Sequence, residues 1–432
     1  MHRSWTTRRA PCDSVGNMNL DAFLELLTSR GQAALTMAME LASRDDPVAA
    51  ATALRRVHPA DLATAALTQA RLRTRAHAKF GPDAARMYFT PDGLEQATRP
   101  EVAAHRARRI ATGPDDAAGR SVADLCCGIG GDAIELARAG LRVVAVDRDP
   151  LTAAVAQANI DALGLSDLVR VRTAEAASVD PRDHDVVFLD PARRTSARRV
   201  FDPMSYSPPL PDALAMAAAA RGACLKVAPG LPYEFVPEGA EAEWVSYRGE
   251  VKEAAIWLGD LAGPSAEGSE RPFLRRATML PYGMTLATGP GSSETAPETG
   301  PPGRYLYEPD GAAIRAHLVA DIAASVGGRL LDPRIAYITG DEDVDTPWAA
   351  RYEVSEVMPF SLKRLRAALR ERRVGTVTLK KRGSAVDIER LRRDLRLSGE
   401  NSLTVVLTRI AEKPFALLCT ATAPAKHTAS LI

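Results

Sequence analysis

The chain has 432 residues, of which 46% are hydrophobic and 25% are charged, and its formal net charge is +1. This length exceeds what a single hydrophobic core usually supports, so we expect two or three domains. No apolar run approaches the roughly 18 residues that a membrane span needs, which argues against insertion into a membrane.

The amino-terminal segment, residues 1–18, contains arginines but no apolar stretch. We therefore expect a disordered extension rather than a secretory signal, with Met18 as an alternative start of the chain. The five cysteines are scattered and form no Cys-x-x-Cys or Cys/His pair, so the sequence predicts neither a disulfide framework nor a metal site. These features favour a cytoplasmic protein.

The apolar spacing then changes along the chain. Residues 19–110 are rich in Ala, Leu, Arg and Glu at intervals of three and four, which predicts a helical N-terminal domain. From 111 to 286, short runs such as LRVVAVD and HDVVFLD alternate with helical stretches, the pattern of a mostly parallel sheet covered by helices.

The remaining segments have different compositions. Residues 287–303 (ATGPGSSETAPETGPPG) contain no large hydrophobic side chain that a core could bury, so we expect a flexible linker or loop. We expect a helical connecting unit over 304–351, followed over 352–423 by a small α+β domain with the order strand, helix, strand, strand.

Charge is distributed unevenly. Between Ser361 and Arg396, a stretch that we call the basic segment, 13 Lys and Arg face 4 Asp and Glu, a local charge of +9 on an otherwise acidic chain. Such segregation indicates a polyanionic partner, above all nucleic acid, and a solvated helix surface is the alternative. The cations that we expect to bind phosphates are Lys363, Arg364, Lys380, Lys381 and Arg382, the last three adjacent in sequence.

A glycine-rich turn follows the first strand of the alternating region, in DLCCGIGGDAIELA. After Leu125, Gly128 and Gly130 allow a sharp turn and a close approach of the backbone to a ligand. The second strand ends at Asp147, from which a carboxylate accepts both hydroxyls of a ribose. S-adenosylmethionine and a dinucleotide both fit this pattern. Asp124 before the turn suits an ammonium group better than phosphates, so we favour S-adenosylmethionine.

In VVFLDPARRTSARRVF a buried strand runs into a basic stretch. Asp190 and Pro191 lie at the junction, and four arginines follow them: Arg193, Arg194, Arg198 and Arg199. Guanidinium groups this close repel one another unless anions neutralise them, and nucleic-acid phosphates are natural partners. Internal pairing, for example with Asp202, is the alternative. Phe201 and Tyr206 could either stack a flipped base or anchor the proline-rich loop.

The glycine turn resembles the first motif of class I S-adenosylmethionine-dependent methyltransferases. Its Asp-x-x-Cys-Gly-x-Gly-Gly form is similar to that of trimethylguanosine synthase-type RNA methyltransferases, and MYFTPDGLEQAT resembles the segment that precedes the core of those enzymes. The order of helical front, core and tail is similar to a bacterial methyltransferase family with a THUMP-like tail. The motif likeness covers roughly residues 85–260.

This resemblance implies an α/β fold, with a Rossmann-like class I methyltransferase core, a helical N-terminal domain and a small α+β C-terminal domain. It implies S-adenosylmethionine as the cofactor and assigns residues to each part of it: Thr90 to the carboxylate, Asp124 to the amino group, Cys126, Gly128 and Gly130 to backbone contact, Asp147 to the ribose and Glu175 to the adenine. For Glu175, a solvated side chain without a role is the alternative.

Residues 190–193 read Asp-Pro-Ala-Arg. By the resemblance, they occupy the place of the catalytic Asp-Pro-Pro-aromatic motif of these methyltransferases, in which the acid orients the amino group that accepts the methyl. The resemblance therefore implies Asp190, Pro191 and Arg193 as catalytic residues. Ala192 and Arg193 depart from the motif, which argues against purine N-methylation. Asp-Pro-Pro-Arg is similar to RNA uracil-C5 methyltransferases, but these need a cysteine at the end of the fifth strand, and Cys224 lies too early in it.

Cys126 and Cys127 fit packing around the cofactor turn better than a nucleophilic role. The sequence thus predicts a class I methyltransferase acting on nucleic acid, most readily structured RNA, with a basic tail that binds the substrate. Two alternatives stay open: a methyltransferase for a small anionic metabolite or a protein, and a catalytically degenerate protein that only binds RNA.

Overall fold

The computed structural model describes residues 18–42, 46–112, 119–192, 203–263, 274–288 and 297–422, together with the backbone of 194–195 and 198–199. These residues form two compact units. The first holds the described residues up to Val227 and Trp257–Ala262, and the second holds Ala228–Ile256 and the described residues from Gly263 onward. Within the described part of the chain, no helix combines the length and apolar character needed to cross a bilayer.

The first unit begins with helices, as expected for the N-terminal region. They are α1 (Leu20–Leu26), α2 (Ser29–Ala42), α3 (Pro47–Arg55), α4 (Ala60–Phe80), α5 (Pro91–Gln96) and α6 (Pro100–Ala111). Alanine and long unbranched side chains, which favour helix, dominate α4, and its alanines are largely buried. The extension expected over residues 1–18 lies outside the described residues, except for Met18.

A parallel sheet follows in the same unit. Its strands are β1 (Ser121–Leu125), β2 (Arg142–Asp147), β3 (Val169–Thr173), β4 (Val186–Leu189) and β7 (Gly222–Val227), in the order β7-β4-β1-β2-β3. The helices between them are α7 (Gly131–Arg138), α8 (Pro150–Leu163) and α9 (Leu210–Ala219). The short strands β5 (Arg194–Thr195) and β6 (Arg198–Arg199) form an antiparallel pair.

Local chemistry explains these elements. Every residue of β4 and of β7 is buried, as in parallel strands covered on both faces. Helix α8 begins after Asp149, whose carboxylate accepts the N–H of Thr152, and ends at Gly164, which adopts φ +75°. The strand order reverses between β1 and β4, so a crevice forms beyond their carboxyl ends. The predicted α/β Rossmann-like core is confirmed.

The second unit is richer in antiparallel strands. It contains β8 (Glu241–Tyr247), β10 (Leu274–Leu280), β11 (Met284–Ala287), β12 (Tyr305–Pro309), β13 (Arg329–Asp332), β14 (Ile335–Gly340), β15 (Ala349–Pro359), β16 (Val374–Lys381), β17 (Asn401–Ile410) and β18 (Lys413–Ala421). Strand β9 (Glu250–Gly259) contributes residues to both units. The helices are α10 (Gly311–Arg315), α11 (Val319–Ser325), α12 (Leu362–Glu371) and α13 (Ile388–Leu395).

The C-terminal sheet has the order β13-β14-β12-β15-β18-β17-β16. Helices α12 and α13 pack on it through Leu365, Leu369, Leu391 and Leu395, in a cluster that also includes Val405. The order β16, α13, β17, β18 is the strand, helix, strand, strand read from the sequence, so the α+β character of this region is confirmed.

The expectation of a helical unit over 304–351 is wrong. Residues 304–351 form strands β12, β13 and β14 besides two short helices, because runs such as YLYEP and IAYITG are aromatic and β-branched and pair in a sheet. Of the expected linker 287–303, residues 289–296 lie outside the described residues. Residues 297–303 are a loop, which is tied to Leu330 by backbone hydrogen bonds to Glu298 and from Gly300 at 2.8 and 3.0 Å.

Candidate active site

The site residues of the core lie at the carboxyl ends of β1 and β4. These strands pair in register, with Leu125 opposite Leu189, and the N–H of Asp190 donates to the Leu125 carbonyl at 3.3 Å. Asp124 and Asp190 therefore lie beside the same crevice. This is where the strand order reverses, the usual ligand-binding position in such sheets.

The glycine turn after β1 has the backbone that the sequence predicts. Gly128 and Gly130 adopt φ +58° and +84°, which a side chain would strain, and Gly130 begins α7. Cys126 also adopts a positive φ of +66°, uncommon for a residue with a Cβ. The N–H of Cys127 donates to Val146 of β2 at 2.9 Å and fixes the turn against the neighbouring strand.

Asp124 is the most unusual carboxylate of the site. Its side chain is fully buried, and neither of its oxygens accepts a hydrogen bond from the described residues. Burial, followed by the nearby charges of Asp132 and Asp190, raises the pKa of Asp124 well above its usual range. A buried carboxylate without a donor needs a partner, and a ligand ammonium group would supply both charge and donors.

Asp147 at the end of β2 is positioned by backbone donors. Its two oxygens accept the N–H groups of Gly128 and Asp149, each at 3.0 Å. Each carboxylate oxygen has a second lone pair, so Asp147 can still accept two ligand hydroxyls. Ala174, in the loop after β3, donates to the Asp147 carbonyl, which brings the next residue, Glu175, to the same sheet edge with an exposed side chain.

Thr90 is held next to the glycine turn. Its hydroxyl oxygen accepts the N–H of Gly93 at 2.9 Å and caps α5, which leaves the hydroxyl hydrogen to donate. Two buried amides bind the backbone just before it. Gln69 bonds both backbone groups of Phe89, and Asn159 bonds both backbone groups of Tyr88.

A second amide contact fixes this segment against the turn itself. Asn159 Nδ2 also donates to the carbonyl of Ile129 at 2.9 Å. The Cβ of any residue replacing Gly93 would lie 2.3 Å from the Ile129 side chain, so a larger residue there would displace its neighbours in the turn. The N-terminal helices thus help to shape the candidate cofactor site. The resemblance had indicated Thr90, whereas the support from Gln69 is seen only in the structure.

Asp190 belongs to a buried ion network that sequence reasoning missed. Its Oδ2 accepts Lys226 Nζ at 2.6 Å, and the same ammonium donates to the Thr98 hydroxyl at 2.7 Å. Thr98 in turn donates to Asp132 at 2.9 Å, and Asp132 pairs with the buried Arg106. We call these five residues the buried ion network.

Opposed effects set the charge of Asp132 in this network. Burial by itself would raise the pKa of Asp132, but the charges of Arg106 and Lys226 and the hydrogen bond from Thr98 lower it overall. Asp132 is therefore an anion at neutral pH. The available sequence signal was Lys226 itself, a single charge inside the buried strand GACLKV.

The segment after Asp190 is partly described. Pro191 is buried, and Ala192 exchanges two backbone hydrogen bonds of 3.0 Å with Ser207. Tyr206 is only 3% exposed, which favours the anchoring role over base stacking. Arg193 and Phe201 lie outside the described residues, and so do the side chains of the three further arginines, Arg194, Arg198 and Arg199.

The cysteines of the core are poorly suited to nucleophilic catalysis. Burial, followed by the charges of Asp147 and Asp190, raises the pKa of Cys126 to about 12. Burial also raises the pKa of Cys127 well above its usual range. Cys224 is buried in mid-strand, paired with Phe188 rather than with the strand end. A thiolate is the reactive form of cysteine, so the raised pKa values of Cys126 and Cys127 keep these two thiols protonated at neutral pH.

The structure corrects part of the expected phosphate-binding surface. Lys380 forms an ion pair with Glu308, and Arg382 lies 3.8 Å from the same carboxylate. Both cations therefore already have an anionic partner in the sheet. Lys380 and Glu308 are 72 residues apart in the sequence. Lys363, Arg364 and Lys381 are exposed.

Family models and relatives show which proteins this chain is similar to. A methyltransferase domain model matches residues 122–199, a THUMP domain-like model matches 349–421, and a domain family of unknown function matches 19–76. An uncharacterised S-adenosylmethionine-dependent methyltransferase of Mycobacterium tuberculosis, from strains CDC 1551 / Oshkosh and ATCC 25618 / H37Rv, is 38% identical over 352 residues. The match covers 78% of this chain and 90% of the relative.

A solved structure shares the fold. The crystal structure of a Porphyromonas gingivalis W83 protein assigned as a methyltransferase has a TM-score of 0.72 to this chain at 22% sequence identity. The likeness covers 91% of this chain and 99% of that one.

Proposed function

The chain belongs to the S-adenosylmethionine-dependent methyltransferases, and from this premise we propose that it methylates structured RNA. Bound S-adenosylmethionine supplies an activated methyl group on a sulfonium centre. The observation that carries the choice of RNA is the segregation of charge, 13 cations against 4 anions between Ser361 and Arg396, within the THUMP-like domain.

The cofactor fits the described residues. Asp124 is buried and has no hydrogen-bond donor among the described residues, so it would accept hydrogen bonds from the ammonium group. Asp147 still has free lone pairs on its oxygens and would accept hydrogen bonds from the ribose hydroxyls. Thr90 would donate its hydroxyl to the carboxylate, while Cys126, Gly128 and Gly130 provide close backbone. Glu175 remains our candidate for the adenine amino group.

Asp190 is our candidate for orienting the acceptor. Its Oδ2 is held by Lys226, whereas the side chain as a whole is 25% exposed, so Oδ1 can accept a hydrogen bond from a substrate. Holding one acceptor atom in line with the methyl group is the main contribution a protein makes to such a transfer. Pro191 stiffens the strand end beside it, and Arg193 stays a prediction.

The substrate class can be tested by methyl transfer to separated cellular fractions. We expect purified protein and tritiated S-adenosylmethionine to label RNA, with little label in protein or small molecules. Label in either of those fractions would favour the alternative substrates. RNA binding without any label would favour the degenerate protein. The described cysteines are free thiols, and we propose the cytoplasm as the site of action.

A further inference from the structure

A pocket of about 370 Å³ lies in the C-terminal domain, where α12 ends and β16 begins. Four arginines line it, together with one acid: Arg366, Arg370, Arg373, Arg396 and Glu400. None of these arginines is among the five cations that we expected to bind phosphates. The volume is at the lower end of the range for small-ligand sites, large enough for one phosphate with its neighbouring groups.

The charges of the pocket are not balanced by the protein. Arg373 pairs with Glu400 at 2.7 Å, but both side chains are more than two-thirds exposed. Arg370 and Arg396 form no ion pair within the described residues, and four guanidinium groups facing one carboxylate leave a surplus of three positive charges. The carboxyl end of α12 adds only about half a negative charge, which does not offset that surplus.

Arg366, which lines the pocket, has an unused donor. One of its terminal nitrogens donates to the carbonyl of Asp394 in α13, which fixes the guanidinium group. Its Nε is buried and has no hydrogen-bond partner among the described residues. A buried donor of this kind is costly unless a ligand or water satisfies it.

The walls of the pocket are tightly built. Arg373 and Arg396 adopt φ +53° and +50°, an uncommon conformation for residues with a Cβ. The backbone between them is held by hydrogen bonds from Gly399 to Val374 at 3.2 Å and from Asn401 to Arg373 at 3.0 Å. Uncommon backbone held in place by its surroundings is typical of ligand sites.

We infer that this pocket binds a phosphate of the RNA substrate. The inference rests on the proposed function and names the part of the basic segment that contacts the substrate. Guanidinium groups recognise phosphate through paired hydrogen bonds, and several of them around one pocket give geometric selectivity that a diffuse basic surface lacks. Lys380 and Arg382 are less suited to this role because Glu308 already pairs with them.

Two variants with equal loss of charge test the inference. Arg370→Gln/Arg396→Gln removes two pocket cations, and Arg315→Gln/Lys413→Gln removes two exposed cations that lie outside both the pocket and the basic segment. RNA affinity is measured for each over a series of salt concentrations. We expect the pocket variant to bind RNA at least about tenfold more weakly and its log–log salt slope to fall by about 0.7 to 0.9, which is the contribution of one lost phosphate contact.

The control variant should bind RNA within about threefold of wild type, because its two cations lie outside the pocket and outside the basic segment. Arg370→Lys/Arg396→Lys, which keeps the charge, should recover most of the salt slope and shows that the pocket still folds. Equal RNA affinity of the pocket and control variants would overturn the inference. Wild-type protein that neither binds nor methylates RNA would overturn the proposed function instead.

Discussion

Replacing Asp190 by alanine should lower methyl transfer at least about 100-fold, the loss expected when a group that acts on the reacting atoms is removed. S-adenosylmethionine affinity should stay within about tenfold of wild type, because Asp190 contacts the acceptor rather than the cofactor. Initial rates with labelled cofactor and calorimetric titration of the cofactor measure the two quantities separately.

Asp185→Ala is the matched control. Asp185 precedes the same strand at its opposite end, where its carboxylate accepts the N–H and hydroxyl of Ser121 at 2.8 Å. That change should lower stability slightly and leave the turnover of folded protein unchanged. Full activity of Asp190→Ala would refute the assigned role. Loss of cofactor binding in that variant would make Asp190 a cofactor ligand first.

Lys226→Met should reduce both stability and turnover. The lysine is buried, and its removal leaves Asp190 without its cation and Thr98 without a donor. Removing one partner of a buried ion pair lowers the free energy of unfolding by about 3 to 5 kcal/mol. Because Asp190 is one-quarter exposed, we expect a loss of about 2 to 4 kcal/mol in the free energy of unfolding, measured by urea denaturation.

The double variant Lys226→Met/Asp190→Leu separates stability from catalysis. Replacing both members of a buried pair by apolar residues is often close to neutral, so most of the lost stability should return. Turnover should not return, because the acceptor would still lack its carboxylate. A double variant as unstable as Lys226→Met alone would mean that the ion pair with Asp190 is not what the lysine stabilises.

Local sequence was sufficient for the glycine turn and for the strand end at Asp190. In both places the backbone conformation depends on adjacent residues, as the positive φ angles of Gly128 and Gly130 show. Strand β12 was missed because its run YLYEP shows no local sign of its pairing partners. These partners, in β14 and β15, lie about 30 to 50 residues further along the chain.

The buried ion network could not be predicted for a related reason. Thr98 and Lys226 are separated by 128 positions, and nothing near either residue indicates the other. For the basic segment, the net charge was predicted correctly but the choice of cations was not. Lys380 pairs with Glu308 of a distant strand, so composition alone selected a cation that was already paired.

The buried Asp124 should make stability depend on pH. Folding raises its pKa, so the folded protein keeps a proton that the unfolded chain releases above the ordinary pKa of about 3.9. Stability is therefore lost as pH rises from that value towards the raised pKa. Asp124→Asn cannot ionise, and its melting temperature should exceed that of wild type by a margin that grows with pH. Thermal melts at several pH values measure this margin.

Above all, we propose that the Asp124 carboxylate holds the ammonium group of S-adenosylmethionine. Calorimetric titration of the cofactor into wild type and Asp124→Asn, in two buffers of different ionisation enthalpy, tests it directly. We expect wild type to release protons on binding, since the ammonium favours ionised Asp124. Asp124→Asn should release none and bind about 10 to 100 times more weakly, as for loss of a charged hydrogen bond. Equal affinity and equal proton release in the two proteins would contradict the account.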